Sequence, residues 1–206
     1  MRSNKTRQLT ILALMTAMLV IFSFTPIGSI PVGPLVISLN VIPLAISAIV
    51  LGPRGGLVAG CMFGILSFLQ ALGIGIPSGM GAILVGINPV LAFIQRFVPR
   101  ALDGLIIGFV FQLIGKKNKY AACAVTGFLA AFLNTVFFMG ALVLLFGNTE
   151  YLQGLIDGRS IIVFICSFVG VNAVVEMVAA TLVAGAVGFA LYRTGFIRAE
   201  EPKAAA

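Results

Sequence analysis

Four charged side chains lie inside long apolar segments of this chain: Arg96, Arg100, Asp103 and Glu176. A charge within a bilayer is costly, so such residues usually face the interior of a helix bundle and mark a site or a structural pair. Arg100 and Asp103 are three residues apart and would share one face of a helix. We expect Arg100 to be held by Asp103, by Glu176 or by both, in an ion cluster that joins two helices.

Arg96 lies one helical turn from Arg100, and no acid is left to neutralise it once Arg100 is paired. It could point into a water-filled cavity and bind an anion, because the guanidinium fork matches a carboxylate or a phosphate. The alternative is that it donates to helix carbonyls or snorkels towards water. Neutral hydrogen bonds to a small solute, or else helix–helix contacts, could come from Gln70, Asn88, Gln95, Asn134 and Asn172.

The composition places these residues in a membrane protein. Only 9% of the 206 residues are charged and 60% are hydrophobic, whereas a soluble domain has about 25% charged residues. The net charge of +7 fits the excess of Lys and Arg in cytoplasmic loops, so we expect a lipid bilayer around the chain and no nucleic-acid partner. Histidine is absent, which removes His-based zinc sites, haem ligation and His-activated nucleophiles, and we expect neither a metal nor a cofactor.

The sequence argues against two kinds of enzyme. The sequence has no G-x-x-x-x-G-K-[ST] motif, so it is not a P-loop ATPase, and any ATP-driven transport would need another subunit. An intramembrane enzyme could use Asp103 and Glu176 as an acid pair, if the two carboxylates lay a hydrogen bond apart and shared a proton. Because Arg100 is nearby, two ionised acids are favoured instead, and we expect no enzymatic activity.

Six apolar segments predict six transmembrane helices, since one span needs about 20 apolar residues. They cover residues 8–25, 36–52, 55–72, 88–115, 120–146 and 161–192. If the N-terminus is cytoplasmic, Arg159 is the one cation predicted on the outer side of the membrane. The cations predicted on the cytoplasmic side are Arg2, Lys5, Arg7, Arg54, Lys116, Lys117, Lys119, Arg193, Arg198 and Lys203. Both termini are therefore predicted to be cytoplasmic. The sequence predicts one all-α domain over residues 1–197 and a short cytoplasmic tail over residues 198–206.

The connections on the predicted outer side are longer than those on the inner side. Residues 25–34 are predicted to be turn or extended structure, and residues 73–87 and 147–160 to be loops. These segments could form a lid over an outward-facing pocket. On the first helix, Ala13 and Ala17 lie four residues apart, a spacing that lets helix backbones approach closely. This stripe could face another protein or could be internal packing.

Several short motifs carry a resemblance to a known family. The first helix bears Ala13-Leu14-Met15-Thr16-Ala17, and the second apolar segment ends in Leu51-Gly52-Pro53-Arg54-Gly55-Gly56. Further along are Asn88-Pro89, Val98-Pro99-Arg100, Leu133-Asn134-Thr135 and the pair Asn172 and Glu176. In this ordered set the chain resembles the substrate-binding S components of energy-coupling factor (ECF) vitamin transporters, and looks most like their pantothenate-type branch.

The resemblance implies a six-helix bundle in the cell membrane of a prokaryote, which binds a vitamin from outside. It also implies a partner module of two ATPases and one transmembrane coupling protein, with Ala13 and Ala17 as the AxxxA docking motif. Pantothenate would place its carboxylate on Arg96 and its neutral groups on Asn134 and Asn172. The alternatives are an S component for another vitamin, such as cobalamin or riboflavin, and a stand-alone secondary carrier.

Overall fold

The computed structural model describes residues 2–32 and 35–194. Helices and one two-stranded sheet make up most of these residues. In chain order they are α1 (Arg2–Phe24), β1 (Ser29–Val32), β2 (Leu35–Ser38), α2 (Val41–Ala71), α3 (Gly79–Ile87), α4 (Pro89–Gly115), α5 (Lys119–Phe146), α6 (Glu150–Ile156) and α7 (Ile161–Arg193). The predicted tail, residues 198–206, lies outside the described residues.

Within the described residues, five helices are long and apolar enough to cross a membrane: α1 (over Thr6–Phe24), α2, α4, α5 and α7. A helix satisfies its own backbone hydrogen bonds, which is why continuous apolar segments of this length become helical in lipid. The most apolar of them are α5 and α7. The prediction of an α-helical membrane protein is confirmed, while the orientation of its termini stays a prediction.

Helix α2 is broken at Gly52, where φ is 68° and ψ is −160°, and Pro53 follows. Asn40 Nδ2, just before the helix, donates to Ser23 Oγ at 3.2 Å, and Gln70 Nε2, near its other end, donates to Ser23 O at 2.8 Å. Both ends of α2 therefore lie beside the end of α1, so the chain reverses at Gly52.

The predicted count of six transmembrane helices is not confirmed. The first limb of α2, residues 41–51, rises only about 16 Å, which is roughly half of the 30 Å hydrocarbon core. The predicted second span also included residues 36–38, which belong to β2. A short apolar run does not distinguish a strand from a helix, and this is where the prediction differs from the structure.

The two strands form an antiparallel hairpin in which Ser29 is opposite Ser38. Turn or extended structure was predicted over residues 25–34, which include β1, whereas β2 falls mostly in the predicted second span. The other two connections on the predicted outer side contain helices that were not predicted. Ser78 Oγ accepts from the backbone amide of Gly81 and so begins α3, and Thr149 Oγ1 accepts from Leu152 and begins α6. These N-cap residues lie in segments rich in glycine and polar residues, which were interpreted as loops.

Small residues let the second limb of α2 pack closely against α4. A Cβ on Gly56 would collide with the carbonyl oxygen of Gly104, and one on Gly60 would collide with that of Arg100. These glycines are therefore needed for close helix contact. By contrast, Ala13 and Ala17 are exposed on the surface of α1.

The bundle has two different ends. The first, called here the hairpin end, carries the β1–β2 hairpin, α3 and α6. The opposite end, called the lysine end, carries the turn between α4 and α5 with Lys116, Lys117 and Lys119. The break in α2 also lies there, because a Cβ on Gly108, near the end of α4, would lie 2.5 Å from Pro53 Cα.

Candidate ligand-binding site

A polar cavity lies inside the bundle towards the hairpin end, between the hairpin and helices α2, α4, α5 and α7. Its volume is about 80 Å³, which gives room for several water molecules at roughly 10–15 Å³ each. The polar and charged residues that line it are Ser38, Ser67, Gln70, Ser78, Arg96, Arg100, Asn134, Thr135, Asn172 and Glu176. Phe63, Met80, Phe138, Met139 and Val169 are among the apolar residues of its wall.

Arg96 lines this cavity and is only 3% exposed. Its Nη1 donates to the carbonyl oxygen and the hydroxyl of Ser67 at 3.1 and 3.0 Å, and its Nη2 donates to Ser78 Oγ at 3.0 Å. Its Nε has no hydrogen-bond partner among the described residues. The guanidinium thus joins α2, α3 and α4, and its hydrogen bonds go to neutral oxygens only.

The sequence left two alternatives for Arg96, a position facing a cavity or hydrogen bonds to helix carbonyls, and the structure combines them. It donates to a helix carbonyl, that of Ser67, and it also faces the polar cavity. A guanidinium held by neutral groups keeps its full positive charge towards the cavity, so it can still attract an anion.

Arg100 is the second cation of the cavity and is 6% exposed. Its Cζ lies 4.2 Å from the centroid of the Phe138 ring and 5.4 Å from that of Phe63. Its Nη1 makes a long hydrogen bond of 3.4 Å to the carbonyl oxygen of Gln95. Cation–π contact with two rings therefore stabilises this guanidinium in its buried position.

Glu176, on α7, is the acid of the cavity lining. Its Oε1 accepts a hydrogen bond of 2.6 Å from the backbone amide of Ser38, the last residue of β2. At the opposite strand, Gln70 Nε2 donates to Ser29 Oγ at 3.2 Å. Polar side chains of α2 and α7 thus hold the two strands of the hairpin over the cavity.

The predicted ion cluster of Arg100, Asp103 and Glu176 stays a prediction. All three residues are buried, but in the described part of the chain they form no hydrogen-bonded ion pair with one another. The hydrogen bond of Glu176 goes to the hairpin and Arg100 lies against Phe138. Arg100 nevertheless interacts electrostatically with both Asp103 and Glu176.

Asp103 lies outside the lining of the cavity and is fully buried. Neither of its carboxylate oxygens has a hydrogen-bond partner among the described residues. Asp103 is a buried residue of α4, and its structural role stays a prediction.

Four of the five predicted neutral residues divide into three groups. Asn134 and Asn172 line the cavity, and the buried Oδ1 of Asn134 has no partner in the described residues. Gln70 also lines it, but its Nε2 is engaged with Ser23 and Ser29. Asn88 is outside the lining: its Oδ1 accepts from the amides of residues 90 and 91 and caps α4. Asn88 therefore caps a helix, and its contact with a ligand stays a prediction.

Among the residues that shape the cavity, three that were not predicted contact the arginines: Ser67, Ser78 and Phe138. Ser78 could have been found, because a serine shortly before an apolar run is a helix N-cap signal. Ser67 and Phe138 carry no such signal, since serine and phenylalanine are common in buried helices. Their roles depend on which helices lie beside Arg96 and Arg100.

The lining holds two guanidinium groups and one carboxylate. With all three ionised the cavity has a net positive charge, which favours an anionic solute. Phe138 and Met139 supply apolar surface, and Asn134, Asn172 and Glu176 supply hydrogen-bond acceptors. The described residues contain no group of three or more His, Cys, Asp or Glu side chains that could hold a metal ion.

A buried polar cavity among membrane-spanning helices is typical of a membrane protein that binds a small polar solute. Residues 7–188 match the family model described as "ECF transporter, substrate-specific component". The chain belongs to this family, so the resemblance seen in its motifs is confirmed. It is a multi-pass protein of the cell membrane and a component of a transporter family rather than of an enzyme family.

Two curated relatives are similar over most of the chain. The "Pantothenate transporter PanT" of Leuconostoc mesenteroides is 30% identical over 200 residues, which cover 91% of this chain and 93% of that protein. The "Pantothenic acid transporter PanT" of Lactococcus lactis subsp. cremoris is 28% identical over 174 residues, which cover 76% of this chain and 85% of that protein.

Proposed function

We propose that this S component binds pantothenate and delivers it to an ATP-driven ECF module. The observation that carries the choice of ligand is the cavity lined by Arg96, Arg100 and one acid, Glu176. Pantothenate has a carboxylate at one end and hydroxyl and amide groups along its length. The two relatives named as pantothenate transporters support the same substrate.

In this proposal Arg96 takes the carboxylate. Three of its hydrogen bonds already fix the guanidinium plane against Ser67 and Ser78, so little side-chain entropy is lost when an anion binds. The Nε of Arg96 is the donor that has no partner among the described residues. Arg100 adds a second positive charge from one turn further along α4.

The neutral groups of the ligand would meet acceptors on the other side of the cavity. Asn134 Oδ1 is buried without a partner in the described residues, and a ligand hydroxyl or amide N–H would satisfy it. Asn172 and Glu176 lie one turn apart on α7 and line the same cavity. A solute with an acidic end and hydroxyl donors therefore suits this site.

The test of the substrate is a vitamin panel titrated into the purified protein. We expect tight binding of pantothenate, and weak or no binding of riboflavin and cobalamin. Tight binding of either of these without pantothenate would contradict the proposal and would assign the chain to another branch of the family.

The partner module is the second part of the proposal. The sequence has no nucleotide-binding P-loop, so the energy for import comes from ATPases that bind through a transmembrane coupling protein. Uptake should therefore disappear in cells that lack the module but still make this chain. Uptake that persists there would identify a stand-alone carrier.

Docking of the module is assigned to the exposed side of α1, where Ala13 and Ala17 lie among exposed apolar residues. We expect Ala13→Trp or Ala17→Trp to reduce uptake of labelled pantothenate by at least about tenfold, because a bulky ring prevents close helix approach. Binding to the purified protein should stay within about twofold of the unmodified chain. The matched control is Ala186→Trp, at an exposed alanine of α7. Uptake that survives both α1 changes would rule out this docking surface.

A further inference from the structure

A second cleft lies at the lysine end, on the opposite side of the bundle from the hairpin. It is lined by Gly115, Lys116, Lys117, Asn118, Lys119, Tyr120 and Tyr192. Six of these are consecutive, from the last residue of α4 to the second residue of α5, and Tyr192 comes from the last turn of α7. The cleft is therefore a concave site formed by two separate parts of the chain, the α4–α5 connection and the end of α7.

Three lysines surround this cleft, and among its described lining residues none is acidic. All three lysines are exposed, and Lys119 Nζ lies 5.8 Å from the centroid of the Tyr192 ring. Ammonium groups gathered in one concave site raise the local positive potential. An anion with several oxygens would bind there and relieve the repulsion between the lysines.

The cleft lies where the apolar part of the bundle ends. Tyr120 packs on Phe189 with ring centroids 5.0 Å apart, and Leu113 and Phe189 expose large apolar surfaces beside this end. Tyrosines are enriched at the level of lipid headgroups because one end of the side chain is apolar and the other is polar. The ligand that suits this position has a phosphate for the lysines and apolar chains for the helix surface.

Two backbone amides at the start of α5 are already satisfied. Asn118 Oδ1 accepts from the amides of Tyr120 and Ala121 at 3.1 Å each. The lysine ammonium groups are therefore the donors that face an incoming anion, and phosphate oxygens accept readily from such groups.

We propose that this cleft binds the phosphate headgroup of an anionic membrane lipid, with phosphatidylglycerol as the test ligand. The site is independent of the vitamin pocket and of the identity of the vitamin. It differs from a general excess of positive charge on one side of the membrane, because it depends on three lysines and a tyrosine in one place. Arg54 lies at the same end of the bundle but outside the cleft, and so provides a matched control.

The experiment is native mass spectrometry of the purified chain with phosphatidylglycerol or phosphatidylcholine of identical acyl chains. We expect the anionic lipid to be retained several-fold better than the neutral one. Lys119→Ala should weaken this retention about fivefold, and the combined change of Lys116, Lys117 and Lys119 to alanine should remove the preference. Arg54→Ala should stay within about twofold of the unmodified chain.

Three results would overturn the proposal. Equal retention of the two lipids would exclude a headgroup site, and equal losses in Arg54→Ala and Lys119→Ala would indicate only general attraction to anionic lipid. Glycerol phosphate that competes as well as the lipid would assign the cleft to a soluble phosphate compound. If the triple variant does not fold, as judged by its thermal midpoint, Lys119→Gln and Tyr192→Leu repeat the test with smaller changes.

Discussion

The two ends of the bundle both gather positive charge, but they hold it in different ways. At the hairpin end, Arg96 and Arg100 are 3% and 6% exposed and are fixed by serine hydroxyls, carbonyl oxygens and aromatic rings. At the lysine end the three cleft lysines are exposed, and the contact found for Lys119 is a ring 5.8 Å away. A buried charge must be positioned exactly where its partners are, whereas an exposed charge acts through its field and is screened by salt.

The comparison predicts different kinds of recognition at the two ends. A rigid, buried guanidinium discriminates between ligands by geometry, because a poorly placed ligand leaves buried donors unsatisfied. Flexible lysines at the surface discriminate mainly by charge. Substitutions at the hairpin end should therefore have large effects on one ligand, and those at the lysine end should have small effects on many.

The largest effect is expected for Arg96→Ala. Loss of a buried charge-assisted contact to the carboxylate should weaken pantothenate binding about 100-fold, from roughly 3 kcal/mol. Isothermal titration calorimetry on the purified chain measures this change. Arg159→Ala removes an exposed arginine outside the cavity, near the same end, and should leave the affinity within about twofold. Unchanged binding in Arg96→Ala would remove this residue from the proposed site.

A smaller effect is expected at Glu176, which holds β2 through the amide of Ser38. Glu176→Ala removes this acceptor and should accelerate pantothenate release about tenfold, a change of about 1.4 kcal/mol. Glu176→Gln keeps a carbonyl acceptor in a side chain of the same size and should have a weaker effect. Stopped-flow release rates separate the two variants. If the glutamine variant is as impaired as the alanine variant, then the charge of Glu176 matters and its bond to the hairpin does not.

Gly81 offers a test of how firmly Arg96 is positioned. A Cβ at Gly81 would lie 2.5 Å from Arg96 Nη2 and 2.8 Å from Ala71 Cβ, so Gly81→Ala must displace both of these groups or shift α3 itself. We expect pantothenate affinity to fall about fivefold, as measured by calorimetry. Gly86→Ala is the matched control on the same helix, because a Cβ there meets nothing within 4 Å. Equal affinities in the two variants would show that the guanidinium tolerates displacement.

The smallest effect on pantothenate affinity is expected for a change at the lysine end. Lys119→Ala lies in the cleft of the lysine end and should change pantothenate affinity by less than about twofold, since distant sites act independently. The same titration with and without phosphatidylglycerol should give one affinity. A large change in either experiment would show that the two ends are coupled.

The long helices of this protein could be predicted closely from its sequence. The segment predicted at 88–115 is α4, Pro89–Gly115, and that at 120–146 is α5, Lys119–Phe146. Uniform apolar runs of this length leave little choice, because lipid offers no partner to an unpaired backbone group. Prediction failed at residues 36–52, where an apolar run contains both a strand and a short helical limb.

The cavity was only partly predictable for a related reason. Arg96, Asn134 and Asn172 could be selected because polar groups in apolar helices face inwards. Their neighbours could not, because the contacts join residues far apart in the chain. The bond between Ser38 and Glu176 spans 138 positions, and no local pattern indicates which backbone amide will reach a buried carboxylate.

The sequence by itself determined the class of the protein, its family and the residues whose charges must be satisfied within the membrane. Its composition requires a lipid environment, and its ordered motifs match the substrate-specific component of ECF transporters. Only the tertiary structure decided how those charges are satisfied. The desolvation cost of a buried charge requires compensation but does not specify its source. Here serine oxygens compensate Arg96, an aromatic ring compensates Arg100, and a hairpin amide compensates Glu176.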